Sequence, residues 1–486
     1  MVDKINFLSQ STSLILIITV SLIFALIGFL YSKNHQGINN YLIANRSAGF
    51  FSLTTSLVAS ALGAWILFGP SSAATWGGIG AVIGYSLGTA FPMIALIYLG
   101  RRIRDKFPKG ITLIEFLRKR FQKNLFKLIL LITIFYMFIF LCAEVTAIAI
   151  LINYISGTAL WITALIVLIT TLSYTLYGGL RVSILTDTIQ SLVVLVLFLM
   201  SVIYLISFSG SQFSLEFIKQ NNPHLLSMTY LPNFTAGLTF FIAVAATNLF
   251  HQGNWQRVFS AKNNSILKSS LIYSSIIVFL IVFWMGYSGL ISYAVNSEVI
   301  PDLAFFELLI NNKNIFITIG ILILAMSLTL STIDTLINAI SSLIIVNGDQ
   351  INKSLSGKKI QKKTNLLILS LSFLVFILAS KGYSILYLFL LADLFCCSAV
   401  ITIFYGFFNK KINPKLASYS ILTGLLFGLL FFPSQNFQSS ILVGNLISID
   451  NFSPFITSNL LFISFIISLM MPFIIILAYS FRNSFK

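Results

Sequence analysis

Thirteen runs of about twenty mostly apolar residues follow one another along this chain, each long enough to cross a bilayer's hydrocarbon core as a helix. Their centres fall near Thr19, Leu62, Leu87, Phe138, Ile166, Leu195, Val244, Val278, Leu330, Leu371, Leu394, Leu425 and Ile466. A backbone inside lipid has no water to bond, so each run must satisfy its own N–H and C=O groups, as a helix does. A mean hydropathy of +0.96 and a charged fraction of only 9% exclude a soluble fold, in which about a quarter of residues carry charge. No polar block is long enough for a separate soluble domain, so residues 1–486 read as a single all-α integral-membrane unit. The first run lacks a basic flank before it and a small-residue cleavage site after it, and is expected to be retained.

The net charge of +17 sorts by side. Threading thirteen spans with the N-terminus outside and the C-terminus inside leaves only Lys4, Lys219, Lys313 and Lys381 on the outer face, and 26 of the 30 basic residues within. That is the positive-inside pattern. The basic excess therefore reads as a topology signal with anionic-lipid contact, not as a nucleic-acid surface.

One run is striped. Between Leu322 and Val346, Ser327, Ser331, Asp334, Thr335, Asn338, Ser341 and Ser342 share one helical face at 100° per residue. Polar groups at membrane depth are costly unless they meet each other, a cavity or an ion, so the stripe needs a partner. Hydroxyls, carbonyls and one carboxylate suit a hard monovalent cation such as Na⁺.

Two other runs are interrupted. The second carries Gly63 and then Gly69-Pro70, and the seventh carries Asn248, His251, Gln252, Gly253 and Asn254. They would open two five-helix halves, over about 50–209 and 234–408, and paired broken helices in two halves mark secondary transporters. A broken helix frees carbonyls for a cation and N–H groups for a solute. The chain has no phosphate-binding G-x-x-x-x-G-K-[ST] loop, no H-E-x-x-H and no G-x-S-x-G, so neither direct ATP coupling nor enzymatic activity is expected. Cys142, Cys396 and Cys397 lie within spans as packing residues, with no metal-ligand spacing. Transporter, channel and membrane sensor stay open on this basis.

Several segments, taken together, resemble the sodium:solute symporter family. They are Arg46-Ser-Ala-Gly leading to VASALGAWILFG, ITLIEFLRKRF at 111–121, YGGLRVSILTDTIQ at 177–190, NWQRVFSAK at 254–262 and LSTIDTLINAISS at 330–342. The resemblance implies a LeuT-like core of two inverted five-helix repeats (46–209 and 234–408), preceded by one helix in 1–45 and followed by two in 409–486. It implies a Na⁺ site between the second and ninth spans. The carbonyls of Ala59, Leu62 and Leu328 and the hydroxyls of Ser331 and Thr332 match the family's ligands.

Four acids lie within or beside spans: Glu144, Asp187, Asp334 and Asp393. Asp187 fits either a pair with Arg181 or another cytoplasmic base, or ion handling. Asp334, one turn from Ser331, fits a second cation contact or a coupling role. Arg46, at the cytoplasmic start of the first core helix, fits a gate ion pair or a membrane anchor. Trp65, Tyr85, Asn248, His251, Gln252 and Trp255 are the residues expected to face a solute, aromatics stacking on it and amides orienting it. The expected activity is Na⁺-coupled inward symport of a small organic solute (urea, an amino acid or a similar nutrient or osmolyte) across the cytoplasmic membrane. Na⁺ is co-transported and not a prosthetic group, the monomer suffices, and homo-oligomers stay open. The alternatives are a channel, or a sensor of the same fold, which a fused signalling domain after the last span would favour.

Overall fold

The structure, a computed structural model, describes residues 7–33, 38–208, 214–310, 314–351, 358–408, 413–435, 437, 439–447 and 451–484. Lys4, Lys313, Lys353, Lys410, Lys411 and Lys486, which enter the charge argument, lie outside the described residues. The principal helices are α1 (Gln10–Ser32), α2 (Phe50–Ala61), α3 (Trp65–Lys106), α4 (Leu113–Ser156), α5 (Leu160–Phe208), α6 (Leu231–Phe250) and α7 (Gln252–Ser260), then α8 (Asn264–Val295), α9 (Ile315–Ile351), α10 (Lys358–Ala379), α11 (Ile385–Phe408), α12 (Pro414–Phe431) and α13 (Leu460–Ser484). Among the described residues eleven helices are apolar and long enough to cross a membrane, all of these but α2 and α7.

Two of the eleven are composite, each holding two of the expected spans on either side of a kink. Spans expected as separate helices run into one another through a single glycine: Gly78 within α3 (φ 53°, ψ −152°) and Gly179 within α5 (φ 61°, ψ −155°). Both φ values lie in the left-handed region that favours glycine. A side chain on Gly78 would also strike the Leu225 carbonyl oxygen at 2.5 Å.

The polar helix α9 and the acid-bearing α11 sit at the centre, with 67% and 78% of their apolar stretches buried, against 28% for both α1 and α10. The peripheral faces present residues such as Ile15, Leu131 and Phe373 outward, as lipid contact demands. Small residues let the core helices meet backbone to backbone. Gly80, Gly84 and Gly88, four apart, lay α3 against α6, and a side chain on Gly84 would begin 2.1 Å from the Gly237 carbonyl oxygen.

Candidate functional site

Both expected interruptions are present. The first core helix stops at Ala61, Leu62 leaves helical geometry (φ −104°, ψ 82°), and helix resumes at Trp65. The seventh span stops at Phe250, bends at His251 (φ −58°, ψ 108°) and resumes at Gln252. Side chains repair part of what each break exposes. Glu144 Oε2 accepts the Ala64 N–H at 2.8 Å, while Asn254 Nδ2 and Trp255 Nε1 donate to the carbonyls of Asn248 (3.1 Å) and Leu249 (2.8 Å).

Opposite the first break lies the striped face of α9. Ser327, Ser331, Asp334, Thr335, Asn338, Ser341 and Ser342 are all buried, so the stripe faces protein and not lipid. Gly63 marks the closest approach. The point where its side chain would begin is 2.7 Å from Thr332 Oγ1 and 2.2 Å from Glu144 Oε1, so a hydroxyl and a carboxyl oxygen face one another across the break. Glu144 is fully buried and its Oε1 has no hydrogen-bond partner. Thr332 Oγ1 donates to the Leu328 carbonyl (3.1 Å) and Ser331 Oγ to Asp187 Oδ1 (2.6 Å). Each hydroxyl spends its proton on these bonds and keeps oxygen lone pairs for a cation.

Below this, one arginine and two aspartates bind four helices together. Arg257 on α7 donates from Nη2 to Asp187 Oδ2 on α5 at 2.6 Å, both side chains wholly buried. Its Nε reaches Ser56 Oγ on α2 (2.9 Å), its Nη2 also Thr335 Oγ1 on α9 (3.0 Å), and its Nη1 the Gly253 carbonyl (3.1 Å). Ser56 Oγ in turn donates to Asp187 Oδ2 at 2.7 Å. Asp334 is held by hydroxyls of α5: Ser183 at 2.7 Å, Tyr174 at 3.2 Å and Thr186 at 3.2 Å. Asp187 thus takes Arg257 as its base. Arg181 bonds Ser47 Oγ and the Ala44 carbonyl instead.

A small internal cavity borders the break, with about 30 Å³ of free space, room for roughly two waters. Trp65, Tyr85, Asn248 and His251 line it, together with Ser60, Phe140, Thr332, Phe389 and Asp393. Gln252 and Trp255 do not. Gln252 turns toward Ser342 Oγ (3.5 Å), and Trp255 caps the helix break. The packed rings Trp76, Phe240 and Tyr85 lie between this cavity and a wider vestibule of about 470 Å³, lined by Ser72, Trp76, Thr239, Asp302 and Ser384. Asp302 is half-buried, and burial raises its carboxyl above the ordinary aspartate range, against hydrogen bonds from Ser72, Ser384 and the Ile385 N–H.

At the opposite end the two halves are latched. Ala48 pairs with Ala261 in an isolated parallel bridge: the Ala48 N–H donates to the Ser260 carbonyl (3.1 Å), and the Lys262 N–H to the Ala48 carbonyl (3.0 Å). Arg46 donates to the carbonyls of Gly110 (2.7 Å) and Phe259 (3.4 Å), and Arg104 to those of Val258 and Ala261 (both 2.9 Å). Arg46 therefore grips main-chain oxygens. Arg257 itself went unassigned in the sequence, though an arginine within an interrupted apolar span beside intramembrane acids was the available signal. Phe140 and Phe389 carried no signal that separates them from packing aromatics.

Paired broken helices, a buried polar helix facing one break and an internal cavity beside it define a Na⁺-coupled transporter of the LeuT-like fold. The chain belongs to the sodium:solute symporter family, whose model matches residues 41–424. It is 25% identical to the spermidine transporter DUR31 of Candida albicans, over 85% of this chain and 78% of that one. It is 32% identical to the sodium/proline symporter of Escherichia coli over 43% of each chain. It is 24% identical to the sodium/glucose cotransporter of Vibrio parahaemolyticus over 56% of this chain and 53% of that one. Among solved structures, a Na⁺-coupled sialic acid symporter superposes with a TM-score of 0.73 at 16% identity, covering 95% of this chain and 96% of its own. Inward-facing Mhp1 gives 0.51 at 14% identity, covering 90% and 92%. At these identities the two structures speak to fold alone.

Proposed function

We propose that Na⁺ binds at the break between α2 and α3, held by the carbonyls of Ala59, Leu62 and Leu328 and the hydroxyls of Ser331 and Thr332. Glu144 supplies the negative charge that this neutral oxygen set lacks. The single observation that carries the reading is Gly63, the point on which Thr332 Oγ1 and the unpartnered Glu144 Oε1 converge. Hard oxygen donors of this kind suit Na⁺. Asp187 and Asp334 are the acids that couple this site to the helices around it, through Arg257.

The chain works by alternating access in the cytoplasmic membrane, with thirteen crossings, the N-terminus outside and two inverted halves over 46–209 and 234–408. Na⁺ entering from outside joins α2, α3 and α9, which favours the state that binds solute in the adjoining cavity. The latch of Arg46, Arg104 and the Ala48–Ala261 bridge closes the cytoplasmic end until both are bound, then parts to release them. A ligand shifts such an equilibrium only by its differential affinity for the two states. One Na⁺ moving down 100 mV supplies about 2.3 kcal/mol. A tenfold Na⁺ gradient adds about 1.4 kcal/mol, so one ion supports a several-hundredfold accumulation of a neutral solute. A monomer contains every part of this cycle.

The test is Na⁺ binding to purified protein, read by thermal stabilisation. Ser331→Ala with Thr332→Ala, and separately Glu144→Gln, are expected to raise the Na⁺ concentration for half-effect at least tenfold. Gln keeps the oxygen that accepts the Ala64 N–H, so E144Q isolates the charge. Unchanged Na⁺ dependence in both variants refutes the site.

A further inference from the structure

The cavity lining identifies the solute more narrowly, on the basis of the symport reading above. We propose that the carried solute is a small organic cation, an aliphatic ammonium held by Asp393 within a cage of aromatic rings. Asp393 lines the cavity from α11, is 3% exposed, and its Oδ1 has no hydrogen-bond partner. Phe389, one helical turn earlier on the same face, brings a ring beside it. Trp65 stacks on Tyr85 (centroids 5.8 Å apart, planes at 22°) and meets Phe389 edge-on at 6.5 Å, and Phe389 meets Phe140 edge-on at 4.8 Å.

Aromatic faces attract cations and repel anions. A buried carboxylate with an unsatisfied oxygen is costly until a positive group or a donor meets it. The two features together favour positive charge on the occupant over a neutral donor. The remaining polar groups point the same way. Among the described residues His251 is the one basic residue lining the cavity, and Arg257 is already committed to Asp187. A solute bearing its own carboxylate would find no fixed cation there and would face Asp393. A neutral sugar or urea would donate a hydrogen bond to Asp393 but bring no opposite charge.

The route in has the same character. Among the described residues neither the cavity nor the vestibule is lined by Lys or Arg, whereas Asp302 lies in the vestibule and Asp393 in the cavity, with Trp76, Phe240, Tyr85 and Trp65 forming a continuous aromatic path between them. Two acids in neighbouring cavities without a Lys or Arg in their linings favour cations over anions there.

The experiment measures thermal stability of the purified full-length protein with choline, butylamine, urea, proline or glucose, each in Na⁺ and in K⁺. Choline or butylamine should stabilise in Na⁺ and not in K⁺. Asp393→Asn should weaken the butylamine effect roughly ten- to hundredfold, the worth of a charged hydrogen bond, and should also weaken that of choline, whose quaternary nitrogen meets the carboxylate by charge alone. The variant should keep its stabilisation by Na⁺ alone, which shows that it is folded. Stabilisation by urea, proline or glucose without an effect of the ammonium probes overturns the assignment, and so does full ammonium binding by D393N. If no probe acts while Na⁺ alone still stabilises, the cation assignment falls and the symport reading stands. Loss of the Na⁺ effect in the unaltered protein strikes the symport reading itself. Should D393N fail to fold, competition for Na⁺-driven uptake by the unaltered protein decides: choline and butylamine must displace one another, and glucose must displace neither.

Discussion

Removing Arg257 should cost more than removing either of the aspartates near it, and the hydrogen bonds say why. Arg257 holds Asp187 directly, at 2.6 Å, and is one hydroxyl away from Asp334, through Thr335 (3.0 Å to the arginine, 3.4 Å to the aspartate). Breaking a buried ion pair by deleting one partner costs about 3–5 kcal/mol, because the remaining charge is stranded. Arg257→Gln strands two carboxylates among neutral hydroxyls, so its cost should reach about 5 kcal/mol or more. Asp187→Asn leaves Arg257 with Asp334 nearby and with Ser56, Thr335 and Gly253 as acceptors, so its cost should lie nearer 3 kcal/mol. Asp334→Asn keeps the three α5 hydroxyls as partners and should cost least. The R257Q/D187N double variant should lose less than the two single losses added together, by about 2 kcal/mol or more, as coupled neighbours do. The assay is reversible unfolding in mixed micelles, titrated with a denaturing detergent. Additive losses, or a D187N cost equal to that of R257Q, would refute this account of the network.

Gly84→Val should abolish stable folding, or lower the unfolding temperature by more than ten degrees, because its side chain would begin 2.1 Å from the Gly237 carbonyl oxygen and neither backbone can yield. Gel-filtration monodispersity after mild detergent extraction checks it. Burial raises the Asp302 carboxyl in the folded protein, so the fold holds that proton more tightly than the unfolded chain does. This contribution to stability is fully present below about pH 4, the unfolded value, and is lost as pH rises through the raised folded value. Asp302→Asn should therefore gain stability relative to the unaltered protein as pH climbs from 4 to 8, and parallel melting curves across that range would contradict it.

The order of spans, the two breaks and the buried stripe of α9 were legible because each rests on local chemistry: apolar length, an interrupting Gly or His, and polar residues at helical spacing. The chain joints at Gly78 and Gly179 were not, since glycine is common in membrane helices and its φ is fixed by what surrounds it. Trp255 and Gln252 were misplaced for a related reason. They follow the break by a few residues, and a sequence cannot tell a side chain that caps a helix end from one that faces a cavity. Glu144 and Asp393 could be found but not ranked, because their importance comes from which helices lie opposite. Arg257 shows the limit most plainly. Its partners Ser56, Asp187 and Thr335 lie on three other helices, and only the packing brings them to it.

The latch at the Ala48–Ala261 end is built from arginine forks and main-chain oxygens. A carbonyl belongs to every residue alike, so substitutions at Val258, Phe259 or Ala261 change the side chain and leave the acceptor in place. Conservative changes on that segment therefore act through packing and through the Phe259 ring under Arg46, while a single change at Arg46 or Arg104 removes two bonds together. The set point between closed and open is thus most easily edited at the two arginines. Arg→Lys there, which trades a two-pronged donor for a single flexible one, is the smallest edit that should make the cycle leakier without touching ion or solute.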